Sequence, residues 1–188
     1  MSAPAKSRQP ATYDDILKLP DNVVGEIVDG ELFVSPRPGQ KHIVAASILN
    51  VKLGGSFGQG GRGPGGWWIL VEPEIHSNGN VLVPDLAGWK KERLPKITDQ
   101  SHFDVIPDWV CEILSPSNIK LDRAKKVPKY AKVGVRHLWL VDPLARTLEA
   151  FRLEKQHWTL LPTFSDEDKF RVEPFDAVEF ELGSLWGE

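Results

Sequence analysis

The period of apolar and polar residues changes several times along this chain, and each change marks an element. Thr12 stands before Asp14, Asp15 and an Ile16-Leu17-Leu19 stripe, the pattern of a short capped helix that Pro20 ends. From 23 to 34 the period shortens to two around Asp29-Gly30, a pair suited to positive φ, which predicts a hairpin. Apolar residues at 43, 44, 48, 49, 51 and 53 return to helical spacing and predict an amphipathic helix over 39–53. Residues 54–66 hold eight of the sixteen glycines, a density that argues against regular structure. That stretch reads as a mobile flap with Arg62 at its tip, either gripping a substrate or simply loose. Its end lacks the Gly-Lys-Ser/Thr of a phosphate-binding loop.

A second hairpin is expected over 67–75 and 81–89, with Asn78-Gly79 as its two-residue turn. After a charged loop at 90–107, residues 109–114 form a short, strongly apolar strand. A basic helical stretch at 118–133 contains Pro128, which kinks it unless it falls in a first turn. A strand at 137–141 stops at Asp142-Pro143, and 147–153 with 157–161 read as a meander. The tail, 170–188, mixes acids with apolar residues and is expected to pack back on the rest. This order predicts an α/β arrangement around a mixed sheet, with 1–11 disordered and 12–188 a single domain.

Composition narrows the function classes. A chain of 188 residues, 41% hydrophobic and 26% charged, is long enough to bury a real core. No apolar run approaches the roughly 20 residues that span a bilayer, and residues 1–10 lack an apolar signal core, so a cytoplasmic protein with no membrane partner is expected. The single cysteine, Cys111, excludes an internal disulfide and a cysteine-based zinc site, and reads as a small core residue. A net charge of −3 gives no global electrostatic case for nucleic acid, so any such footprint is local. Between Lys120 and Arg136 the balance reverses, with Asp122 facing seven basic residues. Lys125, Lys129 and Lys132 recur at helical spacing as an external stripe, either phosphate-binding or merely solvated.

Two acids stand in apolar surroundings: Asp85 in Val83-Pro84-Asp85-Leu86, and Glu112 in Cys111-Glu112-Ile113-Leu114-Ser115. Buried carboxylates facing one another are costly unless a cation or a proton lies between them. The Asn78-Gly79 turn pairs Ser77 with Asn80, which sets Asp85 opposite Glu72 and Val83 opposite Glu74. Strand alternation then places Glu72, Glu74, Asp85 and Ala87 on one face, where a hard cation would turn repulsion into coordination. A register shifted by one, with a solvated face, is the competing reading. Glu112 shares its side with Val110 and Leu114, opposite Trp109, Cys111 and Ile113. Metal ligation there competes with a structural salt bridge to Lys126 or Arg123. Lys126 lies on the Asp122–Tyr130 side of its helix. Ser115 could reach a metal-bound water, though turn or capping duty suits it better. Glu26 points either to the site or to water. His42 has no second histidine at ligand spacing and is expected to be a hydrogen-bonded packing residue.

Taken together, Glu26-Ile27-Val28-Asp29-Gly30-Glu31, Ser35-Pro36 with His42, Val83-Pro84-Asp85, Glu112-Ile113-Leu114-Ser115-Pro116-Ser117, Asp122 with Lys126 and Tyr130, Gly134-Val135, and His137-Leu138-Trp139-Leu140-Val141-Asp142-Pro143 form an ordered series. Over nearly its whole length the chain resembles the Uma-two family of restriction endonuclease-like bacterial proteins, in the PD-(D/E)XK nuclease superfamily. The resemblance implies a restriction endonuclease-like core, a mixed central sheet flanked by helices with additional β-hairpins. It implies Asp85 and Glu112 on adjacent strands as ligands of Mg²⁺ (or Mn²⁺), and hydrolysis of phosphodiester bonds in DNA. The superfamily lysine stands two residues after the second acid, where this chain has Leu114; the family pattern supplies Lys126 instead. Glu26, Glu72 and Ser115 are secondary candidates. A rival reading is a non-catalytic nucleic-acid-binding or regulatory module that keeps the fold. A third is a protein-interaction partner or homodimer, which seven tryptophans permit if some are exposed.

Overall fold

The computed structural model describes residues 9–58 and 63–187. Residues 1–8, in the expected disordered segment, and Arg62 of the expected flap lie outside the described residues. Helix α1 (Tyr13–Leu17) starts at Thr12, whose backbone N–H donates to Asp15 Oδ2 at 2.9 Å, as the sequence pattern requires. Strands β1 (Val23–Val28) and β2 (Glu31–Pro36) form the first hairpin. Asp29 and Gly30 take φ of 52° and 77°, the left-handed pair of a tight hairpin turn.

Helix α2 (Gln40–Phe57) runs four residues further than its apolar period predicted, through Gly54 and Gly55. Leu53 and Phe57 are both buried in the main core, and that anchoring outweighs the roughly 1 kcal/mol per glycine that helix propensity loses.

The second hairpin has the register the turn predicted, but it serves two sheets. Its stem, β3 (Trp67–Val71) and β6 (Leu86–Lys90), pairs Trp67 with Lys90 and Val71 with Leu86. Its tip, β4 (Ile75–Ser77) and β5 (Asn80–Leu82), pairs Ser77 with Asn80. Between them Pro73 and Pro84 stand at facing positions without an N–H to give the ladder, and Glu72 adopts φ 45°. The ribbon therefore breaks there. The tip joins the first hairpin in a four-stranded sheet, β2-β1-β5-β4, while the stem enters the main sheet.

Beyond it come β7 (Trp109–Ile113), α3 (Ile119–Leu121), a π-helical turn over Asp122–Lys126, and α4 (Val127–Val133). Then follow β8 (His137–Asp142), β9 (Thr147–Glu154) and β10 (His157–Ser165). The main sheet has the order β10-β9-β8-β7-β6-β3, with β7 and β8 parallel and its other neighbours antiparallel. It is the mixed central sheet expected. One face packs Ala45, Leu49 and Leu53 of α2 and the tail residues Phe170, Phe175, Phe180 and Trp186 against Trp109, Cys111 and Trp139. The other packs Tyr130 of α4 against Val110, Leu114, Leu138 and Leu140. The tail, with β11 (Lys169–Phe170), β12 (Phe180–Glu181) and a short 3₁₀ turn, thus completes the core. The seven tryptophans are buried or half-buried, so the exposed tryptophans invoked for a protein partner do not exist. Among the described residues no helix is long and apolar enough to cross a membrane.

Candidate functional site

The break between β5 and β6 creates the site. Freed from the ladder, the Val83 N–H donates to Glu26 Oε1 of β1 at 2.7 Å, and the Val83 carbonyl accepts from Lys126 Nζ at 3.0 Å. Asp85, just before β6, accepts from the Ile113 N–H of β7 at Oδ2, 2.6 Å away. Its other oxygen, Oδ1, lies 2.9 Å from His42 Nε2, from the first turn of α2. Side chains thus take the hydrogen bonds that the interrupted strand gives up. Glu112, one residue before Ile113, faces away from the α2 core and accepts from Tyr130 Oη at 2.5 Å.

Lys126 closes the group. Its Nζ is 2.9 Å from Glu26 Oε1, 2.9 Å from Glu112 Oε1 and 3.8 Å from Asp122 Oδ1. The π turn that carries Asp122 and Lys126 runs without a break into α4, whose second residue, Pro128, has no N–H to give the turn before it. Such wide turns recur where a helix must re-aim a functional side chain. Glu26, Glu72, Asp85, Glu112, Asp122, His42 and Lys126 together line a cavity of about 30 Å³, room for roughly one water or one small ion.

The electrostatics are dominated by acids held out of water. Burial raises the pKa of Glu112 well above the usual carboxylate range, against the pull of Lys126, and the charges of Asp122, Asp85 and Glu26 raise it further. Asp122 is pushed up to about 7, by burial first and then by Asp85 and Glu26, with Lys126 opposing. Burial works against the Lys126 ammonium, but Glu112 and Glu26 overcome it and hold its pKa well above the ordinary value. Burial likewise opposes a charged His42, and the hydrogen bond and charge of Asp85 reverse the balance in favour of imidazolium. Five carboxylates around one ammonium and one imidazolium leave negative charge that only protons or another cation can neutralise. An oxygen-rich donor set of this kind fits a hard divalent ion.

The sequence candidates separate here. Asp85, Glu112, Lys126, Glu26 and Glu72 come together in the pocket, Glu72 at its rim beside Arg37 at 3.7 Å. Glu74, expected on the same face, turns away because the prolines break the ribbon, and pairs with His76 instead. Ser115 is not in the pocket: its hydroxyl is 3.0 Å from that of Ser117, and its carbonyl accepts from the Asn118 and Ile119 N–H groups. Arg123 pairs with Glu149, leaving Glu112 to Lys126. The basic stripe is only partly open. Lys129 is buried and paired with Asp29; Lys125 and Lys132 are exposed as expected, Lys125 lying 3.3 Å from Glu31. The acids of the first hairpin, too distant in sequence to be read as partners, neutralise it.

Three further residues complete the site: Asp122 and His42 in the pocket lining, and Tyr130 behind Glu112. Asp122 and Tyr130 flank Lys126 at four-residue spacing, a signal that was available in the helical period. His42 is hydrogen-bonded, as expected, but its partner is Asp85 across the fold.

Residues 11–183 match the model of the Uma2 family, described as "Putative restriction endonuclease". A crystal structure titled as a putative nuclease belonging to DUF820, from Anabaena variabilis, superposes with a TM-score of 0.71 at 24% identity. The alignment covers 95% of this chain and 98% of that one. At that identity the likeness establishes the fold. No protein of curated function matches this chain.

Proposed function

The chain belongs to the Uma2 restriction endonuclease family, and from that premise we propose that it is a divalent-metal-dependent nuclease hydrolysing phosphodiester bonds in DNA. The observation that carries the reading is the pocket in which Asp85 and Glu112 converge with Lys126, lined by more carboxylates than Lys126 and His42 can neutralise. Asp85 and Glu112 would hold Mg²⁺ or Mn²⁺. When bound, such an ion polarises the phosphodiester and lowers the pKa of a water nucleophile.

The protein's own groups have separate duties. His42 and the Ile113 N–H fix both oxygens of Asp85, and Tyr130 fixes Glu112, so the ligating atoms are positioned before any substrate arrives. Lys126 replaces the lysine absent at Leu114. Because its neighbours keep it protonated, it serves as a positive charge facing the phosphate in the transition state rather than as a proton acceptor. Glu26 and the Val83 carbonyl hold that ammonium in place.

Calorimetry of Mn²⁺ and Mg²⁺ on wild type, Asp85→Asn and Glu112→Gln, each checked by circular dichroism, tests the site. Cleavage assays on duplex DNA, single-stranded DNA and RNA test the chemistry. Metal binding lost in both folded variants, together with metal-dependent cleavage of DNA by wild type, is the expected result. Metal binding that survives both substitutions would exclude this site. DNA binding without turnover in either metal would favour the non-catalytic module.

A further inference from the structure

A second group of ligating side chains lies on the tip of the second hairpin. Ile75 of β4 makes a parallel bridge with Phe103, from the loop that follows β6. The His76 N–H donates to the Phe103 carbonyl at 2.9 Å, and the Phe103 N–H to the Glu74 carbonyl at 2.8 Å. This bridge fixes Glu74, His76 and His102 side by side. One ligand atom from each lies within 4.8 Å of the others. Glu74 Oε1 and His76 Nε2 are 2.8 Å apart, and the two imidazoles stack at 3.9 Å between centroids. Tyr13 of α1 flanks them, its ring edge-on to His76 at 4.9 Å.

We infer that Glu74, His76 and His102 form a binding site for a transition-metal ion of the zinc type, separate from the carboxylate pocket. Two imidazoles and one carboxylate are a common zinc ligand set that leaves a coordination position for water. The three side chains are partly exposed, so an ion can enter from solvent. Zinc ligands 2.0–2.2 Å from the metal settle about 3.3 Å from one another. The Glu74–His76 contact therefore opens by about half an ångström as its hydrogen bond gives way to two metal bonds, and the His76 and His102 rings turn out of their stack so that the ion lies in the plane of each. Tyr13 packs its ring edge against His76 and restrains that imidazole from outside. Asp104, 3.7 Å from His102 Nε2, stands near enough to add an oxygen. Imidazole selects zinc, cobalt or nickel where a pocket of carboxylates selects magnesium or manganese, so donor chemistry sorts the two sites. A bound ion would cross-link β4 to the loop carrying His102 and raise stability by mass action.

Zn²⁺ and Co²⁺ titrations of the chelator-treated protein, followed by calorimetry and by the visible absorption of Co²⁺, are the test. Wild type should take up one zinc equivalent at this site, with a rise in Tm. Affinity should fall at least tenfold in His76→Ala and in His102→Gln, and persist in Glu112→Gln. His102→Gln alters a loop residue, so it keeps the question open even where His76→Ala fails to fold. Absence of zinc binding in wild type overturns the inference. So does binding lost in Glu112→Gln but retained in His102→Gln, which would place the zinc in the carboxylate pocket. Because Glu112→Gln disables the proposed nuclease centre and not this cluster, failure of either reading leaves the other standing.

Discussion

At the scale of single residues, the ammonium of Lys126 carries the pocket. It lies within 4 Å of carboxylates from Glu26, Glu112 and Asp122, all buried. Lys126→Met leaves those acids uncompensated, and breaking a buried pair from one side costs about 3–5 kcal/mol. Urea unfolding of the metal-free protein should show that loss, and added Mn²⁺ should recover part of it. A loss below about 1 kcal/mol would mean that the acids are not ionised there. Asp122 gives a pH test. Its pKa, raised to about 7 in the fold by burial and by Asp85 and Glu26 against the opposing charges of Lys126 and His42, makes its stabilising contribution complete below its ordinary carboxylate range. That contribution is lost as pH rises through 7. His137, held down to about 4 chiefly by burial, works oppositely in acid, so wild type alone does not isolate the effect. Asp122→Asn should therefore gain stability relative to wild type between pH 5 and 8, read as the difference between two melting series. The helical period already set Lys126 beside Asp122 and Tyr130. It was silent about Glu26, whose orientation depends on β1 meeting β5, a pairing between residues far apart in the chain.

At the scale of elements, turn chemistry was the most readable signal. Asn78-Gly79 predicted the ribbon's register from end to end, and the observed pairs keep it in both sheets. What the ribbon did with that register depended on Pro73 and Pro84 meeting across it, which moved Glu74 off the shared face while Asp85 stayed in the pocket. The length of α2 was hidden for a different reason: tertiary anchoring by Phe57 carried the helix across glycines that local propensity would stop at. Gly134 offers a clean element-scale test. It ends α4 at φ 93° and sends the chain to β8 through Val135. An added Cβ there would meet nothing within 4 Å, so Gly134→Ala is opposed by backbone conformation alone. The expected cost is about 1 kcal/mol, and Gly134→Asn should cost less because asparagine tolerates the left-handed region. Equal losses for the two variants in chemical denaturation would point to a packing role.

At the scale of the molecule, charge decides how a nucleic acid can be held. The net charge is −3 and the pocket is acidic. The helix whose sequence promised a basic surface spends Arg123, Lys125 and Lys129 on Glu149, Glu31 and Asp29. A polyanion approaching this protein without a divalent cation meets repulsion at the site and a helix whose basic residues are partly paired with acids. Binding to a labelled duplex with non-hydrolysable linkages, followed by fluorescence anisotropy, should be at least tenfold weaker in EDTA than in Mg²⁺. In Mg²⁺ the dependence of log K on log salt should be shallow, a slope of about −1 to −3, because few phosphates are neutralised by side chains. Tight, metal-independent binding with a slope of about −6 or steeper would require an extended basic surface. The internal pairs of Lys125 and Lys129 would then have to open on contact, and the fold would be working as a nucleic-acid clamp instead of a metal-dependent nuclease.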